Sequence, residues 1–188
     1  MPSVEVSYYR PSELPDSYVP GSFFLTHRDG FLPRAIQLAQ SLRSPRCYAM
    51  WGHGGYLTHE HGQMVESLEF GPEVEDMEKY RDAWVAIVTP EIHPHDLEQL
   101  EAYTESVLAA NWGYGYLSIV CILISLLTGS KLNFSRTSTI ICTGLICDAY
   151  TRLGYVWPKP AAFMRPDDVA AFFRVRFPEP VASEVRLG

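Results

Sequence analysis

The chain has 188 residues, 47% of them hydrophobic and 20% charged, an ordinary globular composition with room for one domain and one core. Its net charge is −7, and its acids concentrate between Glu66 and Asp82 with no basic block against them. Phosphate binding needs clustered Lys and Arg, so DNA and RNA are not expected partners.

Residues 1–20 are polar and broken by Pro2, Pro11, Pro15 and Pro20, which predicts an extended arm. They lack the basic start, apolar middle and small-residue cleavage site of a secretory signal, so a cytoplasmic location is expected. Gly21 to His27 reads as a short strand. Leu32, Ile36, Leu38, Ala39 and Leu42 then follow helical spacing, with Pro33 in the first turn and Ser44-Pro45 as the stop. Cys47 to Thr58 and Gln63 to Phe70 read as two strands joined by a tight reversal at His59-Glu60-His61-Gly62. Residues 71–82 read as an acidic connection, followed by a strand from Ala83 to Thr89. A helix is predicted from His95 to about Asn111, with Asp96 as its cap.

Residues 106–130 carry no formal charge, and Leu117 to Leu127, eleven residues, is almost wholly apolar. A membrane span needs about 20 predominantly apolar residues. The run predicts a buried helix over 116–128, or one that touches a membrane without crossing it. Residues 129–139 read as a polar loop. A helix follows from Cys142 to about Leu153 and stops at Gly154. Arg165-Pro166-Asp167-Asp168 caps a last short helix ending near Phe173, and 178–188 form a tail. The order predicts one α+β domain over 1–188 with its core in about 21–173, an antiparallel sheet or barrel packed against helices.

The four cysteines (Cys47, Cys121, Cys142, Cys147) are too few for a disulfide framework, and three lie in apolar segments. Cys147 and Cys121 read as packing residues. Cys142 stands elsewhere, where Ile140-Ile141 gives way to a helix start. There the unpaired N–H groups of the first turn and the positive end of the macrodipole favour a thiolate. Trp51-Gly52-His53-Gly54-Gly55 places a histidine in an apolar strand pattern, and cysteine with histidine is the minimum equipment for thiol-based acyl transfer. Glu66 is the candidate third member. With a two-residue turn at 59–60 it falls directly opposite His53, and with a four-residue loop it falls diagonally on the same face. A carboxylate beside an imidazole orients the ring and stabilises the imidazolium. Alone, each of the three residues has a blander reading: an inert thiol, a structural histidine, a solvated strand carboxylate. The pairs His59/His61 and His93/His95 sit in turns without a Cys-x-x-Cys companion, so no metal site is expected.

With these residues in place, the chain resembles a circularly permuted papain-like cysteine hydrolase of the NlpC-related superfamily, the YiiX/YebB-like branch, over roughly 21–173. Gly21-Ser22-Phe23-Phe24 is similar to the opening glycine strand of that family, and Ala35-Ile36-Gln37-Leu38-Ala39 to its first helix. Gly52-His53-Gly54-Gly55 resembles its Ser-His-Val-Gly segment, Val65-Glu66-Ser67 its Val-Glu-Ala strand, and Gly113-Tyr114-Gly115-Tyr116 its Gly-x-x-Tyr segment. Cys142-Thr143-Gly144-Leu145-Ile146 resembles its Cys-Ser-Glu/Gly-Leu-Val motif. Gly52 departs from the usual serine, and Gly54-Gly55 is expected to loosen the strand. The resemblance implies a permuted papain-like fold with the nucleophile at the start of a C-terminal helix. It implies an amide or peptide hydrolase using Cys142, His53 and Glu66, with a hydroxyl from Tyr114 or Tyr116 at the substrate and no cofactor. The rival expectations are a lipid acyltransferase or ester hydrolase of the lecithin–retinol-acyltransferase branch, and a non-catalytic binding module on the same fold.

Overall fold

The computed structural model describes residues 4–29, 31–68, 71–110 and 142–178. It is an α+β arrangement around a six-stranded, fully antiparallel sheet of order β1-β6-β2-β3-β4-β5. The strands are β1 (Val4–Tyr9), β2 (Phe23–His27), β3 (His53–Leu57), β4 (Gln63–Leu68), β5 (Gly71–Asp76) and β6 (Trp84–Pro90). The helices are α1 (Phe31–Ser41), α2 (Arg46–Ala49), α3 (Pro94–Ala109), α4 (Cys142–Arg152) and α5 (Pro166–Phe173).

Side chains alternate across a strand, and here both faces of the central strands are covered. On one face Phe23, Leu25, Tyr56, Val65, Ala86 and Val88 pack with Leu145, Ile146 and Tyr150 of α4 and with residues of α3 and α5. On the other, Phe24, Leu57, Met64, Val85 and Ile87 are covered by Met77 and Tyr80, with Tyr9, Leu14 and Tyr18 of the N-terminal arm against them. This double cover explains why Ser22 to Thr26 is a continuous buried run instead of an alternating one. Each fully buried Phe or Leu contributes about 1.5–3 kcal/mol, so this layer dominates the stability.

Several expectations are corrected. The stretch from Cys47 to Thr58 is not one strand: Pro45, with φ −52°, opens the short helix α2, and the strand begins only at His53. Residues 71–82 are not a connection. They form β5, paired with β4 over six residues, and a 3-10 turn at Met77–Tyr80. Their acids are what an edge strand carries to discourage further pairing. The arm holds a true strand, β1, against β6. Asp96 does not hold the cap position. His93 does, and the Asp96 carboxylate accepts from the His93 N–H at 2.9 Å from inside the first turn. The strand at Gly21–His27, the helix after Asp29, the Cys142 helix stopping at Gly154 (φ +87°) and the last helix to Phe173 are found as expected, within a residue or two. The apolar segment from 111 and the loop at 129–139 lie outside the described residues. Among those described, no helix is long and apolar enough to cross a membrane.

Candidate active site

The β3–β4 hairpin sets the geometry. Thr58 N–H donates to the Gln63 carbonyl at 2.9 Å, closing a four-residue loop whose last member, Gly62, adopts φ +90°. The ladder therefore runs Leu57–Met64, Tyr56–Val65, Gly55–Glu66. His53 lies two residues before Gly55, on the face shared with Glu66 and diagonal to it. A diagonal pair is farther apart than a direct one, and the space between belongs to residue 55. A Cβ there would lie 3.0 Å from Glu66 Cβ, 2.9 Å from Phe24 Cζ and 2.5 Å from the Val65 carbonyl. Glycine at 55 leaves the crossing open, and His53 Nε2 meets Glu66 Oε2 at 2.5 Å.

Glu66 is fully buried, and three donors converge on it. Besides His53, Lys79 Nζ reaches Oε1 at 2.8 Å and the Tyr80 hydroxyl donates to Oε2. Burial alone would push this carboxyl up, but His53, Lys79 and Tyr80 more than offset it and hold it down at about 2. Burial and the Glu66 charge push the Tyr80 phenol far above its usual value, so it stays a donor. Neither Lys79 nor Tyr80 is singled out by the sequence, because both lie in the stretch read as a connection. The available signal was their distance from the strand: a 3-10 turn after an edge strand folds back over the sheet face.

The Cys142 sulfur and the His53 imidazole lie close enough that each shifts the other's protonation. With Nε2 engaged by Glu66, Nδ1 is the ring nitrogen left for the sulfur. The sheet also supplies a backbone donor. Because Thr58 N–H points toward β4, so do those of Tyr56 and Gly54 in alternation, and Gly54 lies past the last rung at Gly55–Glu66. Its N–H turns to the Cys142 sulfur, as does that of Thr143 in the first turn of α4. This approach requires a bare position 54: a Cβ would lie 2.5 Å from the Phe24 carbonyl and 3.1 Å from Ile146 Cδ1 on α4. The Gly54-Gly55 pair thus does not loosen the strand. One glycine admits the helix and the other admits the carboxylate.

The resulting charges are unlike those of ordinary side chains. Burial would lower the His53 pKa, but the Cys142 sulfur and the Glu66 carboxylate hold the proton on, to about 10. Burial would raise the Cys142 thiol, and the His53 charge and hydrogen bond together with the two N–H donors lower it instead. Five residues on, Cys147 is pushed far up by burial and neighbouring acids. Two thiols on one helix are driven in opposite directions by what they face. His53 keeps 19% of its side chain exposed, so the site reaches solvent.

No family model and no curated protein matches this chain.

Of the expected site residues, Cys142, His53 and Glu66 are brought together. Tyr114 and Tyr116 lie outside the described residues, as does Cys121. Cys47, Cys142 and Cys147 are free thiols. His59 and His61 lie in the hairpin loop, exposed, with ring centroids 5.0 Å apart, and His93 and His95 sit exposed at the start of α3. Among the described residues no cluster of three or more His, Cys, Asp or Glu is arranged to hold a metal ion.

Proposed function

We propose that the protein is a thiol-dependent hydrolase of amide or peptide bonds, on a permuted papain-like fold of the NlpC-related kind. The observation that carries this reading is the mutual shift of Cys142 and His53, the thiol lowered and the imidazole raised, backed by a buried carboxylate on His53. In the mechanism, the Cys142 thiolate attacks the substrate carbonyl and the sulfur–carbon bond forms. His53, already protonated, delivers its proton to the leaving amine as the carbon–nitrogen bond breaks, leaving a thioacyl enzyme. Neutral His53 then takes a proton from water, which attacks the thioester and releases the acid and the thiolate. The N–H of Cys142 at the helix start is the natural oxyanion donor, and one such donor is worth about 10²–10³ in rate. Glu66 keeps its charge throughout, because Lys79 and Tyr80 saturate it and leave it unable to accept the His53 proton. These steps call for no cofactor.

The test is a panel of acyl-dipeptide amides and short-chain lipid esters, with adducts on Cys142 read by mass and turnover compared between wild type and Cys142→Ala. Amide turnover with a Cys142 adduct, lost in the folded Cys142→Ala variant, is the expected result. Adducts from the lipid esters alone would move the reading to ester or acyl transfer. Retained turnover in Cys142→Ala would end it.

A further inference from the structure

The two flanks of His53 differ. On the β4 side stand Glu66 and the 3-10 turn carrying Lys79 and Tyr80. The other flank is β2, where Phe24 pairs with Gly55 and Thr26 pairs with His53. Phe24 and Thr26 therefore share the sheet face of His53, Gly55 and Glu66. Arg28 follows β2 directly, two residues past Thr26, the partner of His53, and continued alternation carries it toward that face. A diagonal step across a sheet is roughly 7–8 Å, which a side chain as long as arginine's spans, so His53 is within its reach.

The electrostatics agree with that direction. Burial and Glu66 raise the Tyr80 phenol, and the Arg28 charge is near enough to act against them. Tyr80 in turn lies over the imidazole, its ring centroid 6.0 Å from that of His53. Arg28 is exposed, and among the described residues no carboxylate forms an ion pair with it. The adjacent Asp29 is engaged by Arg34 at 2.9 Å. Lys79, by contrast, is neutralised by Glu66 with Glu73 and Glu75 close by. In a chain of net charge −7, an exposed guanidinium without an ion-pair partner among the described residues, at the His53 end of β2, is a site for an anion.

We propose that Arg28 binds a carboxylate of the substrate, next to the carbonyl that Cys142 attacks. A carboxylate suits it better than a phosphate: there is one guanidinium, and Glu73, Glu75 and the net charge oppose a dianion. An extended peptide advances about 3.3–3.6 Å per residue, so a group held one diagonal step from the imidazole lies about two residues from the scissile bond. The substrate class that fits is a short peptide whose chain ends within about two residues of the cleaved bond. This inference rests on the hydrolase reading of Cys142.

Two alkylating reagents separate the two ideas without knowledge of the substrate. Iodoacetate and iodoacetamide both place carbon on the sulfur as iodide leaves, but only iodoacetate carries a carboxylate. Their rates at Cys142, resolved from the other cysteines by peptide mapping, give a ratio that cancels thiolate reactivity. Arg28→Gln should lower the iodoacetate-to-iodoacetamide ratio about threefold to tenfold with the iodoacetamide rate unchanged, and Arg28→Lys should keep most of it. An equal ratio in wild type and Arg28→Gln overturns the assignment. So does a fall in both rates together, which would make Arg28 structural. If wild-type Cys142 reacts as slowly as Cys147 with both reagents, the hydrolase reading itself fails, and this inference with it.

Discussion

Replacing Glu66 by glutamine changes one oxygen of a fully buried side chain and removes the charge on which His53, Lys79 and Tyr80 converge. Burial alone would raise this carboxyl, yet its three partners depress it from 4.5 to about 2. That interval corresponds to about 3 kcal/mol of folding free energy. The folded-state value is the lower one, so the contribution is complete above about pH 5, where the unfolded carboxyl is also ionised. It is lost as the pH falls toward 2. Urea unfolding at steps from pH 7 to pH 2, in the Cys142→Ala background so that the thiol does not titrate, should show Glu66→Gln less stable by about 3 kcal/mol at pH 7. The two curves should converge on acidification, because the wild type loses that much more over the interval. Carboxylates remote from Glu66 titrate alike in both proteins and cancel in the difference; Glu73, whose carboxyl the Glu66 charge helps to raise, is the exception. Curves that run parallel down to pH 2 would refute the idea that Glu66 is held ionised by these contacts.

Three more outcomes follow from the same geometry. With Cys142 lowered and His53 raised to about 10, the thiolate–imidazolium pair spans neutral pH, so iodoacetamide should label Cys142 at pH 6.5 within about threefold of its rate at pH 8.5. A tenfold fall per pH unit, as for an ordinary thiol, would contradict the pairing, and His53→Ala should produce that fall. Gly54→Ala should cost about 2–4 kcal/mol in urea unfolding, because its Cβ meets backbone at 2.5 Å, whereas Gly154→Ala meets nothing within 4 Å and should cost only about 1 kcal/mol for its φ of +87°. Equal costs would show that α4 does not rest on position 54. Tyr80→Phe keeps the ring beside Phe24 and removes one donor from Glu66, and it should lower stability at pH 7 by about 1–3 kcal/mol, with no change counting against the shared carboxylate.

The sheet's inner strands and both C-terminal helices were legible because their signals are local. An apolar run such as Phe23-Phe24-Leu25, a glycine at 154 and a proline at 166 each act within a few residues. The edges were not. β5 carries Glu73, Glu75 and Asp76, and acids on an edge strand and acids in a loop have the same composition. Only the six-residue pairing with β4 distinguishes them, and pairing is non-local. The same blindness hid Lys79 and Tyr80, which matter only because the turn after β5 folds back onto Glu66. Arg46 to Ala49 is ambiguous for a different reason: Cys47-Tyr48-Ala49 has no period to separate a single helical turn from a strand start, and Pro45 tips it to the helix.

The hairpin shows how a sequence can state a contact while leaving its form open. Both even loop lengths put Glu66 on the face of His53, so the contact itself survived the uncertainty in register. What the register decides is the role of the glycines. With the directly opposed pairing, residue 55 would face Met64 and Gly54-Gly55 would have no task at the site. With the observed ladder, Gly55 faces Glu66 and stands between the two partners, and any side chain there would force the carboxylate away from the ring. Gly54, one residue earlier, points to the opposite face, where α4 arrives. A strand that must pass a carboxylate across one face and seat a nucleophile helix on the other has no room for a Cβ at either position. The segment His53-Gly54-Gly55 is thus read as a structural requirement of the Cys142–His53–Glu66 arrangement, and the conformational entropy that two adjacent glycines lose on folding is offset by the contacts they permit.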